Sequence, residues 1–301
     1  MTQQPAPATT APRIVVGVGP EEVESALAFA ADEAVRVGCG LHLVHAVSLV
    51  PPGPDQVLLP AIDLEAWGAE RLAEVVKLAD DLVQGAVPVT HELRRGTPVG
   101  VLVDVGRTAR MVVLEHRHLS RLSRIVNRTV AGGVAAHLRV PVVAVPSGWH
   151  EDRRRGVVVA GIDVPDRSAE VLRAAMAEAH ARGAQLRLVH SWSLPGPYEE
   201  ALAAEEIRRW SDRSRAEVRA ALDALGDLTA AMDADVQVVH GRAAEALVEA
   251  SADAELLVIG RHDPLVPIGS HVGPVARAVL REAICPVLLA SPRPHRAVYH
   301  P

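Results

Sequence analysis

Aromatic residues and cysteines are scarce in this chain. Only 2% of its 301 residues are Phe, Trp or Tyr, which leaves few rings for stacking nucleic-acid bases. The two cysteines, Cys39 and Cys285, lie far apart with no CxxC or Cys/His spacing around them. Neither a disulfide framework nor a structural zinc site is therefore predicted, and we expect a cytoplasmic protein.

Long apolar runs and an excess of positive charge are also missing. No run of about 18 apolar residues occurs, and residues 1–12 lack the basic and apolar segments of a signal peptide. The formal charge of −6, from 37 acidic and 31 basic residues, gives no broad attraction for a phosphate backbone or an anionic membrane. We therefore expect a protein that is not secreted, does not span a membrane and does not bind nucleic acid.

An internal repeat organises the sequence. The segment LHLVHAVSL at 41–49 returns as LRLVHSWSL at 186–194, an offset of 145 residues. The same offset relates Gly96 to Gly241, MVVL (111–114) to LLVI (256–259), and VPVVAV (140–145) to CPVLLA (285–290). The chain is thus a tandem duplication of a unit of about 140 residues, long enough for a domain with its own core.

Each copy alternates β-branched runs with amphipathic, Ala-rich stretches, the pattern of βαβ units. The predicted strands are 14–18, 41–47, 87–93, 111–114 and 142–145, then 157–162, 186–192, 235–239, 256–259 and 287–290. The predicted helices are 23–37, 64–84, 99–107 and 129–138, then 169–181, 201–225, 243–252 and 274–282. Gly38 and Gly183 suit the left-handed conformation that ends a helix. We expect an α/β fold of two tandem doubly wound, Rossmann-like domains, each with a mainly parallel five-stranded sheet.

The expected domain boundaries follow from the repeat and from a linker rich in Pro, Gly and charge, PSGWHEDRRRG at 146–156. A flexible N-terminal tail takes 1–12, the first domain 13–150, the second domain 151–291 and a C-terminal tail 292–301. Ligands of doubly wound folds bind beyond the carboxyl ends of the strands, where the strand order switches. Candidate binding residues are therefore expected at strand ends.

The strand ends of the second copy carry a recognisable set of residues. These are Asp163 after the first strand, His190 and Ser191 at the end of the second, Gly241 after the third, Gly260-Arg-His-Asp263 after the fourth, and Gly273-Pro274-Val275 opening the last helix. Together with HGRAAEAL at 240–247 and the ending AICPVLLA at 283–290, this order resembles the universal stress protein family in a tandem bacterial form. That family has a strand-end Asp, a later G-x2-G-x9-G-(S/T) and a final strand like A-P-C-P-V.

The resemblance implies a site for ATP or a related adenine nucleotide, with Mg²⁺, in the second domain. In ATP-binding members the strand-one Asp and the backbone after strand two hold adenine or ribose, and the glycine loop surrounds the phosphates. Glycines let backbone N–H groups approach phosphate, and the start of the last helix offers unpaired donors. Carried over residue by residue, the expected binding residues are Asp163, Ser191, Ile259, Gly260, Asp263, Gly273, Pro274 and Val275.

Two of these residues depart from the family pattern. Asp263 replaces the second glycine and adds a negative charge where phosphates lie, and Pro274 replaces the Ser/Thr that supplies a hydroxyl and an N–H. Proline is tolerated at the first position of a helix, so the fold is expected to survive. Arg261, His262 and His271 are basic and could offset Asp263 by contacting phosphate; solvation at the surface is their alternative role.

The first copy departs further from the pattern. Gly19 stands at the position of the strand-one Asp, and Glu115, His118 and Arg128 replace the three loop residues, while Thr129 keeps the family's hydroxyl. His118, Arg128 and Thr129 belong to a candidate anion patch that could bind an acidic partner or a nucleotide held by side chains; a solvated loop is the alternative. We expect this first site not to bind nucleotide.

His45 and His190 occupy equivalent strand ends in the two copies. The symmetry favours a structural role for both, with a metal site or a general base as the alternative. We expect no metal ligands and no catalytic residues, because no pair of acid and base stands out from the carboxylates on the helices.

Three functions remain open. The first is a non-enzymatic stress-response protein that binds adenine nucleotide in the second domain and acts by regulation or partner binding. The second is a nucleotide-independent scaffold with both sites decayed, for which Asp263 and Pro274 are the motive. The third is a slow nucleotide hydrolase, which the lack of GxxxxGK[ST], HExxH and GxSxG motifs disfavours.

The resemblance also bears on assembly. It implies that the two units pack on each other as an intramolecular pseudo-dimer. It also implies that chains associate further as homo-oligomers, a homodimer first, and the need to cover exposed strand edges gives this a physical motive. An unidentified protein partner is expected as well.

Overall fold

Both copies of the repeat fold as α/β units, which confirms the predicted fold class. The computed structural model describes residues 12–21, 23–48, 63–116, 130–150, 155–199, 202–226, 233–261 and 272–291. The strands of the first unit are β1 (Arg13–Val18), β2 (Gly40–Val47), β3 (Val89–Arg95), β4 (Met111–His116) and β5 (Val142–Pro146). Its helices are α1 (Glu24–Val37), α2 (Leu64–Val83), α3 (Pro98–Gly106) and α4 (Val130–His137).

The second unit repeats the arrangement. Its strands are β6 (Val157–Ile162), β7 (Gln185–Trp192), β8 (Ala234–His240), β9 (Leu256–Ile259) and β10 (Val287–Leu289). Its helices are α5 (Ala169–Arg182), α6 (Gly196–Glu199), α7 (Ala204–Asp223), α8 (Ala243–Ala250) and α9 (Pro274–Glu282), with a 3-10 turn at Pro165–Arg167. Within the described part of the chain, no helix is both long enough and apolar enough to cross a lipid bilayer.

The strands form one sheet in the order β3-β2-β1-β4-β5-β10-β9-β6-β7-β8. All neighbours within a unit are parallel, and helices cover both faces, so the central strands are almost wholly buried. In each unit the chain moves outward from the first strand to the third and then returns to the other side of the first. The order therefore switches beside β1 in the first unit and beside β6 in the second, which leaves a crevice at the carboxyl ends of these strands.

The two units are joined through their last strands. Strands β5 and β10 pair antiparallel, with Val143 opposite Leu288, and both residues are at most 1% exposed. This pairing covers two strand edges and is the intramolecular packing of the units that the resemblance implies. Because the strands of one unit run opposite to those of the other, the carboxyl edge of the second unit lies beside the amino edge of the first.

A buried cluster of charges also connects the units, between α1 and α5. Arg182 Nη2 lies 2.9 Å from Glu33 Oε2, and both side chains are 2% exposed. The same guanidinium binds Glu178 at 2.7 Å, lies 3.5 Å from Glu255 and stands 5.6 Å above the ring of Phe29. One buried cation thus faces three carboxylates, and Arg36, which is 17% exposed, binds Glu33 from the same helix at 2.8 Å. The charge balance of this contact depends on protonation.

Burial and the neighbouring carboxylate of Glu33 raise the pKa of Glu178 from 4.5 to about 6. Arg182, Arg36 and Arg110 oppose this rise, but they do not cancel it. The folded protein consequently holds a proton on Glu178 more tightly than the unfolded chain does. Its contribution to stability is fully present below pH 4.5 and is lost as the pH rises through about 6.

We expect the stability of the wild type relative to Glu178→Gln to fall by about 2 kcal/mol between pH 4.5 and pH 7, since the variant has no proton to lose there. Urea unfolding across this pH range measures the difference. Glu170→Gln is the control for the loss of a carboxylate from the same helix, since Glu170 is more exposed and pairs with Arg173. A difference that stays constant with pH would contradict the account of Glu178.

Candidate functional site

The candidate site lies at the crevice where the strand order of the second unit switches. Strand β6 pairs in parallel with β7 on one side and with β9 on the other. The two registers, continued past the last pairs, bring Ser191 level with Asp163 and Gly260 level with Ile162. Asp163 is exposed and Ser191 half-buried. Three of the predicted binding residues thus reach one edge of the sheet.

Ile259, the last residue of β9, is placed differently. Its side chain is 4% exposed and packs in the core, and its carbonyl accepts a hydrogen bond from the N–H of Ala290 at 2.9 Å. The side chain therefore serves the packing of the strand. Gly260 follows directly, and a Cβ added there would meet Val171 Cγ2 of α5 at 3.2 Å. The backbone of this position lies close to the start of α5.

The start of helix α9 offers backbone donors to the same region. Gly273 is its N-cap, Pro274 is its first residue, and the side chain of Val275 is 37% exposed. Gly273 has no side chain with which to cap the helix, whereas Asp63 caps α2 and Thr97 caps α3. The N-cap itself thus supplies no side-chain acceptor to the first turn of α9, whose N–H groups and positive dipole end suit an anion.

Several predicted residues fall outside the part of the chain that the structure describes. They are Asp263, His262 and His271 of the second copy, His118, Arg128 and Thr129 of the candidate anion patch, and most of the two predicted tails. The expectations for these residues stay predictions.

Arg261 has neither of the two roles expected for it. Its guanidinium is bound into the first unit, where it donates to the carbonyls of Ala135 at 2.8 Å, Val140 at 2.6 Å and Leu138. A fourth bond reaches the carbonyl of Leu289 in β10 at 3.2 Å. Burial lowers the pKa of Arg261 to about 10. The expectation of a phosphate-contacting or solvated arginine was wrong, because the packing of the two units places these backbone carbonyls within hydrogen-bonding reach of the side chain.

His45 and His190 make the same contact in the two units. Nδ1 of His45 lies 2.9 Å from the carbonyl of Val18, and Nδ1 of His190 lies 2.9 Å from that of Ile162. Since a carbonyl only accepts, Nδ1 carries the proton in both rings. Each histidine thus ties the end of one strand to its neighbour, which confirms the predicted structural role.

The equivalent strand end of the first unit is filled by its own carboxylate. Glu115, at the position of Gly260, accepts a hydrogen bond from the N–H of Ala26 at 3.2 Å, in the first turn of α1. Gly19 offers no side chain at the position of Asp163. The two units therefore present different chemistry at equivalent places, a carboxylate in the first and open backbone in the second.

An aromatic cluster that the sequence analysis missed stands beside Ser191. The ring of Trp192 lies 4.3 Å from that of His240 and 5.8 Å from that of Trp210, measured between centroids. Trp192 Nε1 donates to Ser211 Oγ at 3.1 Å. These contacts hold α7 against the carboxyl ends of β7 and β8. No metal-binding group of three or more His, Cys, Asp or Glu residues is found within the described ranges.

Comparison with known proteins places these features in a family. The sequence profile of the universal stress protein family matches the chain twice, over residues 11–146 and 155–291. A solved universal stress protein from Archaeoglobus fulgidus shares the fold, with a TM-score of 0.68 over 94% of this chain and 97% of that one, at 15% sequence identity.

Curated relatives extend over nearly the whole length. A universal stress protein of Mycobacterium tuberculosis is 31% identical over 306 aligned residues, which cover 92% of this chain and 96% of the relative. One from Mycolicibacterium smegmatis is 28% identical, covering 93% of this chain and 97% of the relative. With both repeats matched and similarity along the full tandem, the chain belongs to the universal stress protein family.

Proposed function

We propose that the second unit binds ATP or a related adenine nucleotide, with Mg²⁺, and that occupancy regulates the protein or its partners in the stress response. The observation that carries the proposal is the strand register, which brings Asp163, Ser191 and Gly260 to the same sheet edge, where the strand order switches. The start of α9, whose N-cap Gly273 has no side chain, supports it. Membership of the universal stress protein family supports the link to stress.

Each element has a distinct role in this proposal. The exposed carboxylate of Asp163 accepts hydrogen bonds from ribose hydroxyls or the adenine amino group. The backbone beyond Gly260 and the first turn of α9 donate N–H groups to phosphate oxygens. Pro274 supplies no N–H, so this helix start has one donor fewer than one with Ser or Thr there. Mg²⁺, when bound, neutralises part of the triphosphate charge.

The first unit is proposed to bind no nucleotide. Glu115 already occupies the start of α1 with a negative charge, and Gly19 supplies no carboxylate for ribose. Like charges disfavour phosphate at such a place. The chain is therefore expected to take up one nucleotide.

A nucleotide-independent scaffold is the second candidate function, and Pro274 favours it because it removes a backbone N–H donor for phosphate.

Location and assembly stay predictions. A cytoplasmic location agrees with the free thiols of Cys39 and Cys285. The homodimer stays a prediction that size-exclusion chromatography with light scattering tests. The sheet edges available for it are β3 and β8.

Replacing Asp163 with alanine is expected to weaken ATP binding by at least about tenfold, because hydrogen bonds to a charged group contribute about 1.5 to 3 kcal/mol. Isothermal titration calorimetry with Mg²⁺ and ATP measures the change. Asp253→Ala is the matched control, since Asp253 is an exposed carboxylate that precedes β9 and lies at the opposite edge of the sheet.

Equal affinity of wild type and Asp163→Ala would contradict the assignment of the site. If neither binds ATP at millimolar concentration, the scaffold function is the better account. Phosphate release by the wild type above that of Asp163→Ala would contradict the non-enzymatic part of the proposal.

A further inference from the structure

We propose that Arg261 is a positioning residue that couples the nucleotide crevice of the second unit to helix α4 of the first. The inference rests on the proposed function, because the coupling acts through the backbone that follows Gly260. It extends that function by naming the element of the other unit that responds to occupancy.

The geometry joins the two places through a single side chain. Arg261 directly follows Gly260, at the carboxyl end of β9. Its guanidinium reaches across the joint between the units to the carbonyls of Ala135 and Leu138, at the end of α4. The carbonyl of Val140, just before β5, accepts a further bond at 2.6 Å.

The carbonyl of Ala135 lies in the last turn of α4, and those of Leu138 and Val140 follow the helix. The last four carbonyls of an α-helix have no intrahelical donor, and the negative end of the helix dipole favours a cation there. A guanidinium presents several N–H groups in a fixed plane, so it can hold two or more carbonyls at once. Arg261 thus acts as a cap for α4 that is supplied by the second unit.

The cap is held in place by several hydrogen bonds. Arg261 is mostly buried, and the hydrogen bonds that the structure gives its guanidinium all go to carbonyl oxygens of the described residues. Withdrawing the side chain would leave these carbonyls without the hydrogen bonds of the guanidinium, which is unfavourable. A shift of the backbone at Gly260 on nucleotide binding is therefore transmitted to the end of α4. By linkage, the state of α4 changes the nucleotide affinity by the same factor.

The arginine at this position is found only in the second unit. His116 occupies the equivalent position in the first unit, where its side chain is shorter and 7% exposed. The duplicated halves have therefore diverged at this joint, with an arginine on the side of the candidate site.

Hydrogen exchange of the full chain, with and without Mg²⁺ and ATP, tests the coupling. In the wild type we expect ATP to slow exchange of the amides of α4, although the nucleotide is bound in the other unit. In Arg261→Met we expect this response to be lost and the Kd for ATP to rise about tenfold, a coupling of about 1.4 kcal/mol. Arg261→Lys keeps the charge and should recover part of both effects.

Arg242→Met is the matched control, because Arg242 is 82% exposed and pairs with Glu245 in the same unit. It should keep the wild-type affinity and exchange response. A lower melting temperature alone does not count in favour of the coupling, since any buried arginine would give it. Should Arg261→Met fail to fold, the wild type and Arg261→Lys still decide the question.

The outcomes separate the two proposals. ATP binding by the wild type with unchanged exchange in α4 overturns the coupling and leaves the nucleotide site standing. The same holds if Arg261→Met responds to ATP as the wild type does. Absence of ATP binding by the wild type overturns the proposed function and the coupling with it.

Discussion

Replacing Arg182 with methionine is expected to lower the free energy of unfolding by about 3 to 5 kcal/mol, the usual effect of removing one partner from a buried ion pair. The reason is that the substitution removes the guanidinium and leaves the buried carboxylates around it in place. Glu178 loses the guanidinium that binds it at 2.7 Å, and Glu33 loses one of its two arginines, at 2.9 Å, and keeps Arg36 at 2.8 Å. The ring of Phe29 also loses the guanidinium above it. Denaturant unfolding at pH 7 measures the loss.

Two comparisons make this expectation specific to the cluster. Arg173→Met removes a half-exposed arginine of the same helix, paired with Glu170, and should cost less than about 1 kcal/mol. Acidification should restore part of the stability of Arg182→Met, because protonation removes charge from the carboxylates that are left facing each other. A loss for Arg182→Met no larger than that for Arg173→Met would contradict the role of this cluster in joining the units.

Replacing Gly260 with glutamate is expected to abolish ATP binding while the fold is kept. The first unit shows that the fold accepts a carboxylate here, since Glu115 stands at the equivalent position and binds the N–H of Ala26. In the second unit the new carboxylate would lie where phosphate is proposed to bind, and the two negative charges would repel each other. We expect no measurable heat when Mg²⁺ and ATP are titrated into Gly260→Glu at millimolar concentration.

Gly260→Ala separates the effect of charge from that of size. Its Cβ would lie 3.2 Å from Val171 Cγ2, a tight contact that a shift of a few tenths of an ångström relieves. We expect ATP affinity within a few-fold of the wild type and a small loss of stability. ATP binding by Gly260→Glu with unchanged affinity would place the nucleotide elsewhere.

Most of the fold could be predicted from the sequence because it depends on local patterns that occur twice. The apolar runs gave the ten strands, and α9 spans the predicted 274–282. Gly38 and Gly183 end α1 and α5 with φ of 66° and 62°, as expected of a left-handed helix end. Because the repeat has a constant offset of 145 residues, each element predicted in one half could be compared with its counterpart in the other.

The errors at element boundaries have local causes. Strand β3 begins at Val89 and not at residue 87, because Pro88 has no N–H to donate to a neighbouring strand. Helix α7 begins at Ala204, where the carboxylate of Glu206 accepts a hydrogen bond from the N–H of Ala203 at 3.0 Å. The short helix α6 at Gly196–Glu199 has too few residues to show a periodic pattern.

The contacts between the units could not be predicted from local patterns. Arg182 and Glu178 are four residues apart and look like a solvated pair on a helix surface, yet Glu33 binds the same arginine from 149 positions away. Arg261 follows a predicted phosphate loop but binds the end of α4. Both depend on the antiparallel pairing of β5 with β10, and no periodicity within one copy encodes that pairing.

The stoichiometry of ATP binding tests the central claim most directly. Calorimetric titration of Mg²⁺ and ATP into the full-length wild type should give one nucleotide per chain, bound in the second unit. Two nucleotides per chain would show that Glu115 and Gly19 do not close the first site. No binding at millimolar concentration would contradict the nucleotide site altogether.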